Sequence, residues 1–212
     1  MKHNKEIPSD IRKENDEYNV GWITSEGMVG DNIVTRENLD VDESIKLDAS
    51  AFQVVWLKNI DRLMGRLPID FDHGKYTLVD VGCGSGISTI YFYQKYAFKH
   101  FIGFDFSSSL ISIANKNNEN IRTSYVSNKS ILFEVGDAKN YRLLNEPLVL
   151  FMYNPFGWET MRIFIENNAD VLRKNKSILL YANDICVNEI VKYGRVLSRD
   201  DFFNLSIVEF GR

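Results

Sequence analysis

The stretch Val79-Asp80-Val81-Gly82-Cys83-Gly84-Ser85-Gly86 decides the fold. It closes an apolar run, Tyr76–Val81, that reads as a strand, and it leads into Ser88–Tyr96, which reads as a helix. Glycines at 82, 84 and 86 let the backbone turn tightly between the two and let a ligand approach without interference from a Cβ. The helix that follows presents free N–H groups in its first turn. A dinucleotide fingerprint, G-x-G-x-x-G, needs a glycine at position 87, where this chain has isoleucine; the spacing here is G-x-G-x-G. A glycine triplet by itself is a weak signal, so its surroundings decide.

Outward from this loop, short apolar runs alternate with helical segments. Strands are expected at Tyr76–Val81, Phe101–Phe106, Ile131–Val135, Leu148–Tyr153 and Ser177–Ala182, with helices at Ser88–Tyr96, Ser108–Asn120 and Glu159–Arg173 between them. Continuous apolar strands joined by helical crossovers indicate an α/β fold, a Rossmann-like, doubly wound and mostly parallel sheet covered on both faces. Phe202–Phe210 is expected to add one last edge strand, giving an abbreviated C-terminal edge. Upstream, Phe52, Val55, Trp56, Ile60, Leu63, Met64 and Leu67 recur at helical spacing, so a helix is expected from an N-cap at Asp48 or Ser50 to the stop at Pro68. Residues 1–18 are polar and suggest a tail or one exposed helix. From Val20 to Leu47 the apolar residues follow no period, and that stretch suggests a loop-rich lid. The division expected is an extension over 1–47 and one domain over 48–212.

The polar residues of the central region gather at strand ends. Asp105 ends the second strand, 19 residues after Gly86, where an acid can accept both ribose hydroxyls of an adenosine ligand. Asp137, within Glu134-Val135-Gly136-Asp137-Ala138, follows the third strand where an adenine amino group can be bound. Asn154-Pro155-Phe156-Gly157 follows the fourth. In open α/β sheets, ligands bind outside the carboxyl ends of the strands at the point where strand order reverses. Each residue also has a plainer explanation: Asp105 as a cap before Ser107 and Ser108, Asp137 as a turn residue, Asn-Pro as a turn dipeptide, and Asp80 as a buried acid bonded to the loop backbone. Their joint phase with the glycines favours a binding site.

As a set, these motifs over Thr77–Ala182 resemble a class I S-adenosylmethionine-dependent methyltransferase. The resemblance implies S-adenosylmethionine as cofactor. Gly82, Gly84 and Gly86 would seat its methionine portion, Asp80 would order the loop and the amino group, Asp105 would hold the ribose, and Asp137 with Ala138 would hold the adenine. It implies that Asn154 and Phe156 shape the approach of the methyl acceptor. The sequence is also similar to a group of small bacterial class I methyltransferases with an N-P-F-G motif after strand 4, whose upstream glycine- and threonine-containing segment Gly21–Gly27 partly matches. Their Tyr-Glu-Pro-Thr-Pro stretch is absent here, where Ile45-Lys46-Leu47-Asp48-Ala49 stands. The Asn-Pro-Pro-aromatic motif of aminomethylating enzymes is not matched either, since one proline is missing and the aromatic comes one place earlier.

Composition narrows the rest. The 212 residues are 44% hydrophobic and 25% charged, which excludes disordered, collagenous and disulfide-scaffold classes. A formal net charge of −4 speaks against nucleic-acid binding. Cys83 and Cys186 are too few for a structural zinc site, so no metal is expected, and they suit a reducing, cytoplasmic setting. Cys83 has no histidine partner in the sequence pattern and reads as a packed small residue. No run approaches the ~20 apolar residues of a membrane span, and the charged N-terminus is unlike a signal peptide. The function expected is methyl transfer to a small molecule or glycan unit. Methylation of a protein side chain is the next alternative, ahead of a noncatalytic cofactor-binding module, and Ile87 argues against a nicotinamide oxidoreductase.

Overall fold

The computed structural model describes residues 6–30, 50–122 and 130–211, with positions 32, 34, 35, 38 and 48 between the first two segments. The N-terminal helix α1 (Ser9–Ser25) is followed by α2 (Leu57–Met64). Then come β1 (Thr77–Val81), α3 (Ile87–Lys95), β2 (His100–Asp105), α4 (Ser108–Arg122) and β3 (Ile131–Val135). The second half holds β4 (Leu148–Tyr153), α5 (Trp158–Lys174), β5 (Ile178–Ala182), the short α6 (Val187–Ile190), β6 (Arg195–Asp200) and β7 (Leu205–Glu209). The five expected strands and three crossover helices are all present, within a residue or two of the expected ends.

The sheet has seven strands in the order β3-β2-β1-β4-β5-β7-β6. Strands β1 to β5 pair in parallel, and β7 runs antiparallel to both β5 and β6. The central strands are apolar throughout because both faces are covered: β1 and β5 are buried at every position. One core layer joins Leu78, Phe151 and Leu180 of the sheet to Ile60 and Leu63 of α2, Ile90 and Phe92 of α3 and Ile111 of α4. The other joins Val79, Val81 and Leu150 to Met161, Phe164 and Ile165 of α5. Each such aliphatic or aromatic side chain contributes roughly 1.5–3 kcal/mol of burial.

Three expectations are corrected. The C-terminal edge is not abbreviated to a single strand: Arg195–Asp200 and Leu205–Glu209 make a hairpin, with β7 inserted beside β5 and β6 at the rim. Asp200 stabilises its turn by accepting from the N–H groups of Phe202 and Phe203. The upstream helix begins at Leu57 rather than near Ser50, and Phe52 instead forms an extended bridge with Val34. The cause lies in α1, whose buried Asn19 accepts from the Leu57 N–H and donates to the Val55 carbonyl, fixing the helix start from another element. Residues 20–25 are likewise helical rather than loop, and α1 is docked rather than free. Tyr18 shares a hydrogen bond with Tyr91, Trp22 packs edge-on against the Tyr91 ring, and Trp56 donates to Asp16. Of the expected lid, positions 31, 33, 36, 37 and 39–47 lie outside the described residues. Among the described residues no helix is long and apolar enough to cross a membrane.

Candidate functional site

Strand order reverses between β1 and β4, which pair with each other while their crossovers lead to opposite sides of the sheet. Above the carboxyl ends of these strands lies a cleft, partly open to solvent. That is the position at which doubly wound sheets bind ligands. Gly82, Cys83 and Ser85 of the glycine loop line the cleft, while Gly84 and Gly86 pack against Phe52 and Phe133 instead; φ is 73°, 54° and 77° at Gly82, Gly84 and Gly86, a region that side-chain-bearing residues rarely adopt. The neighbours also exclude side chains here: a Cβ on Gly82 would lie 2.4 Å from Pro155 Cβ, and one on Gly84 2.0 Å from the Phe52 ring.

Asp80, one residue before the end of β1, is 2% exposed and accepts a 2.6 Å hydrogen bond from the Thr89 hydroxyl of α3. Burial raises its carboxyl to about 7; the Thr89 bonds oppose the shift, and the nearby charge of Asp105 adds to it. Asp105 closes β2 and orders the loop, one oxygen accepting from the Gly84 N–H at 3.0 Å and the other from the Ser107 N–H. The helix cap itself is Ser107, whose hydroxyl accepts from the Leu110 N–H. Asp137 follows β3 in a turn, its carboxylate accepting from the Lys139 N–H and the Asn140 side chain. Asp80, Gly82, Asp105, Asp137, Ala138 and Phe156 all line the cleft.

Asn154 is placed differently. It stands in the left-handed region with φ 43°, and its carbonyl oxygen accepts from the Tyr181 hydroxyl at 3.2 Å, while its neighbours Tyr153, Pro155 and Phe156 line the cleft. Cys83 is buried, and burial together with Asp80 and Asp105 pushes its thiol well up, which suits a packed residue and not a nucleophile.

The wall facing the glycine loop comes from Asp48 and Ser50–Val54, a contribution the sequence pattern did not signal. Asp48 caps α5 rather than the helix following it in sequence: its carboxylate accepts from the Thr160 N–H and its carbonyl from the Gly157 N–H. Ser50 donates to the Pro155 carbonyl, so this wall is stitched to the turn after β4. Tyr153 was also missed; burial raises its hydroxyl, with the charge of Asp16 adding to the shift. Among the described residues no cluster of His, Cys, Asp and Glu is arranged to hold a metal ion.

Residues 78–175 match the family model of a methyltransferase domain. The chain has the fold of class I S-adenosylmethionine-dependent methyltransferases of known structure. Magnesium protoporphyrin IX methyltransferase of Synechocystis PCC 6803, solved with bound S-adenosylmethionine, superposes with a TM-score of 0.55 at 15% identity over 97% of this chain and 98% of its own. A candidate class I S-adenosylmethionine-dependent methyltransferase of Listeria monocytogenes gives 0.54 at 15% identity over 93% and 69%. Ribosomal protein L11 methylase of Lactobacillus delbrueckii gives 0.51 at 14% identity over 73% and 77%. No curated protein matches the chain in sequence. The matched residues run from β1 to the end of α5, and β5 with the β6–β7 hairpin completes the sheet.

Proposed function

We propose that the cleft binds S-adenosylmethionine and that the enzyme methylates a small molecule or glycan unit. The observation that carries this is the convergence, at one switch point, of a tight loop with three left-handed glycines and three carboxylates at or near successive strand ends, Asp80, Asp105 and Asp137. These residues fit the cofactor: two acids for its hydroxyls and adenine, and a buried acid for its cationic amino-acid end. When bound, the cofactor supplies an electrophilic methyl carbon on a sulfonium, open to direct displacement. The chain's own part is placement. Asp105 accepts the ribose hydroxyls, Asp137 and Ala138 hold the adenine edge, and the glycine loop admits the amino-acid end. Holding acceptor and methyl donor in line can supply roughly 7–11 kcal/mol of the barrier.

On the acceptor side, Tyr153, Pro155 and Phe156 form one wall and Phe52 with Val54 the other. Asn154 keeps the turn in its left-handed geometry through Tyr181. Four lining carboxylates, Asp48, Asp80, Asp105 and Asp137, face a single lining lysine, Lys139, and this balance disfavours a nucleic-acid phosphate backbone. The N-P-F-G turn agrees with membership in the small bacterial group that carries it. Free Cys83 and Cys186 suit a reducing compartment, and we place the reaction in the cytoplasm.

The test has two steps. S-adenosylhomocysteine raises the melting temperature of the protein and NAD does not, and Asp105→Ala, checked for folding, weakens S-adenosylhomocysteine at least tenfold; unchanged affinity sinks the cofactor assignment. Incubation with methyl-labelled cofactor and fractionated cell extract then identifies the acceptor, and label found in protein or RNA would replace the small-molecule reading.

A further inference from the structure

Tyr153 is the last residue of β4, opposite Ala182 of β5 and one position beyond the Val81–Met152 pair at the end of β1. Strand alternation puts its side chain on the face of Phe151, in the core layer that α2 and α3 cover. There it packs beside that layer, half-buried, and lines the cleft at the switch point.

The Tyr153 hydroxyl has no hydrogen-bond partner among the described residues. Other tyrosines packed into the protein do: Tyr91 and Tyr96 each donate to Asp61 at 2.7 Å, Tyr141 donates to Glu134, and Tyr181 donates to Asn154. A tyrosine that buries its ring usually pairs its hydroxyl. Here the unmet donor belongs to the wall of a ligand cleft, where a ligand atom can meet it. Burial raises the pKa of this hydroxyl and the charge of Asp16 adds to the shift, so it keeps its proton at neutral pH and is available as a donor. The walls on this side, Phe52 and Val54 facing Pro155 and Phe156, are apolar, and the lining lysine, Lys139, stands instead in the turn after β3. A neutral donor with no cation beside it suits a neutral oxygen, and apolar walls suit a ring or hydrocarbon body.

Resting on the methyl-transfer reading above, we infer that Tyr153 is a specificity-determining residue for the acceptor, its hydroxyl donating to a neutral hydroxyl or carbonyl oxygen on a small, largely apolar or aromatic molecule. An analogue without that oxygen leaves the donor unpaired in the cleft wall and is rejected for that reason.

The experiment uses Tyr153→Phe, which removes the hydroxyl and keeps the ring. Calorimetry gives the affinity for S-adenosylhomocysteine. Transfer from methyl-labelled S-adenosylmethionine is then followed as initial rate against the amount of the extract fraction that the parent labels. The variant melts no lower than the parent, because no bond within the protein is lost, and its affinity for S-adenosylhomocysteine is unchanged. Its KM for the fraction rises about tenfold, as expected when one hydrogen bond is removed and its partner left unpaired, while the maximal rate stays within about threefold. The ratio of parent to variant rates is constant from about pH 6 to about pH 9, since the hydroxyl does not titrate there. The labelled compound carries a neutral oxygen. An unchanged KM, an equal weakening of S-adenosylhomocysteine, a lower melting temperature, a ratio that changes with pH, or a labelled compound lacking such an oxygen overturns the assignment to Tyr153 and leaves methyl transfer standing. A parent that binds S-adenosylhomocysteine but labels no fraction overturns both.

Discussion

Asp80→Asn separates the two things that this carboxyl does, because its effects on stability and on ligand binding have opposite signs. In the folded protein burial raises the carboxyl from 3.8 to about 7. Between those values the native state holds a proton that the unfolded chain has released, so stability falls as pH rises, by about 1.4 kcal/mol per pH unit for this group. From pH 5 to pH 7 the loss is about 2 kcal/mol. It is complete above the folded value and absent below the unfolded one. Asparagine keeps the acceptor for the Thr89 hydroxyl and has no charge to bury. Urea denaturation of the ligand-free proteins at pH 5, 6, 7 and 8 therefore shows the variant gaining about 2 kcal/mol relative to the parent between pH 5 and 7. Binding runs the other way: S-adenosylhomocysteine, cationic at its amine, binds the parent more tightly as pH rises through 7, and binds the variant weakly at every pH. A parent–variant stability difference that stays constant from pH 5 to 7 would refute the assignment of a protonated Asp80 to the free enzyme.

Two further outcomes follow from the packing around the loop. Gly84→Ala combines φ 54° with a contact of 2.0 Å to the Phe52 ring, so urea melts show a loss of about 2 kcal/mol or more; adding Phe52→Ala restores the steric part and leaves the ~1–2 kcal/mol of left-handed strain. Asn19→Ala removes the two bonds that start α2 and costs about 1–2 kcal/mol in the same assay, with Trp22 fluorescence changing as α1 loosens from Tyr91.

The parallel sheet was legible because each of its strands is an apolar run bounded by turn residues, and burial on both faces leaves such a run without alternation. The carboxylates of the cleft were legible too, since Asp80 and Asp105 lie at or just before strand ends, and Asp137 just after one, that local pattern already locates. What stayed hidden is held by contacts between residues far apart in sequence. The helical period from Phe52 onward is real as a hydrophobic pattern, yet Asn19 starts the helix at Leu57 and Phe52 pairs with Val34 instead. Asp48 reads as a cap and is one, but for a helix 110 residues further along the chain. Asn154 shows only as a turn residue, and nothing local reveals that Tyr181 draws its side chain aside. The β6–β7 hairpin was underestimated because β6 is a rim strand, mostly half-buried, with the weakest apolar signal of the sheet.

The bonds from Asp48 and Ser50 to Pro155, Gly157 and Thr160 have a consequence for exchanging parts between enzymes. Two cleft-lining segments over a hundred positions apart travel as one piece. Transplanting the Asn154–Gly157 turn into another scaffold without the Asp48–Val54 segment would leave α5 uncapped and one side of the cleft unsupported. Even alanine at Gly157 would bring its Cβ within 2.0 Å of the Asp48 carboxylate. A change in either segment therefore calls for a matching change in the other, so the two walls of the cleft vary in paired steps rather than single ones.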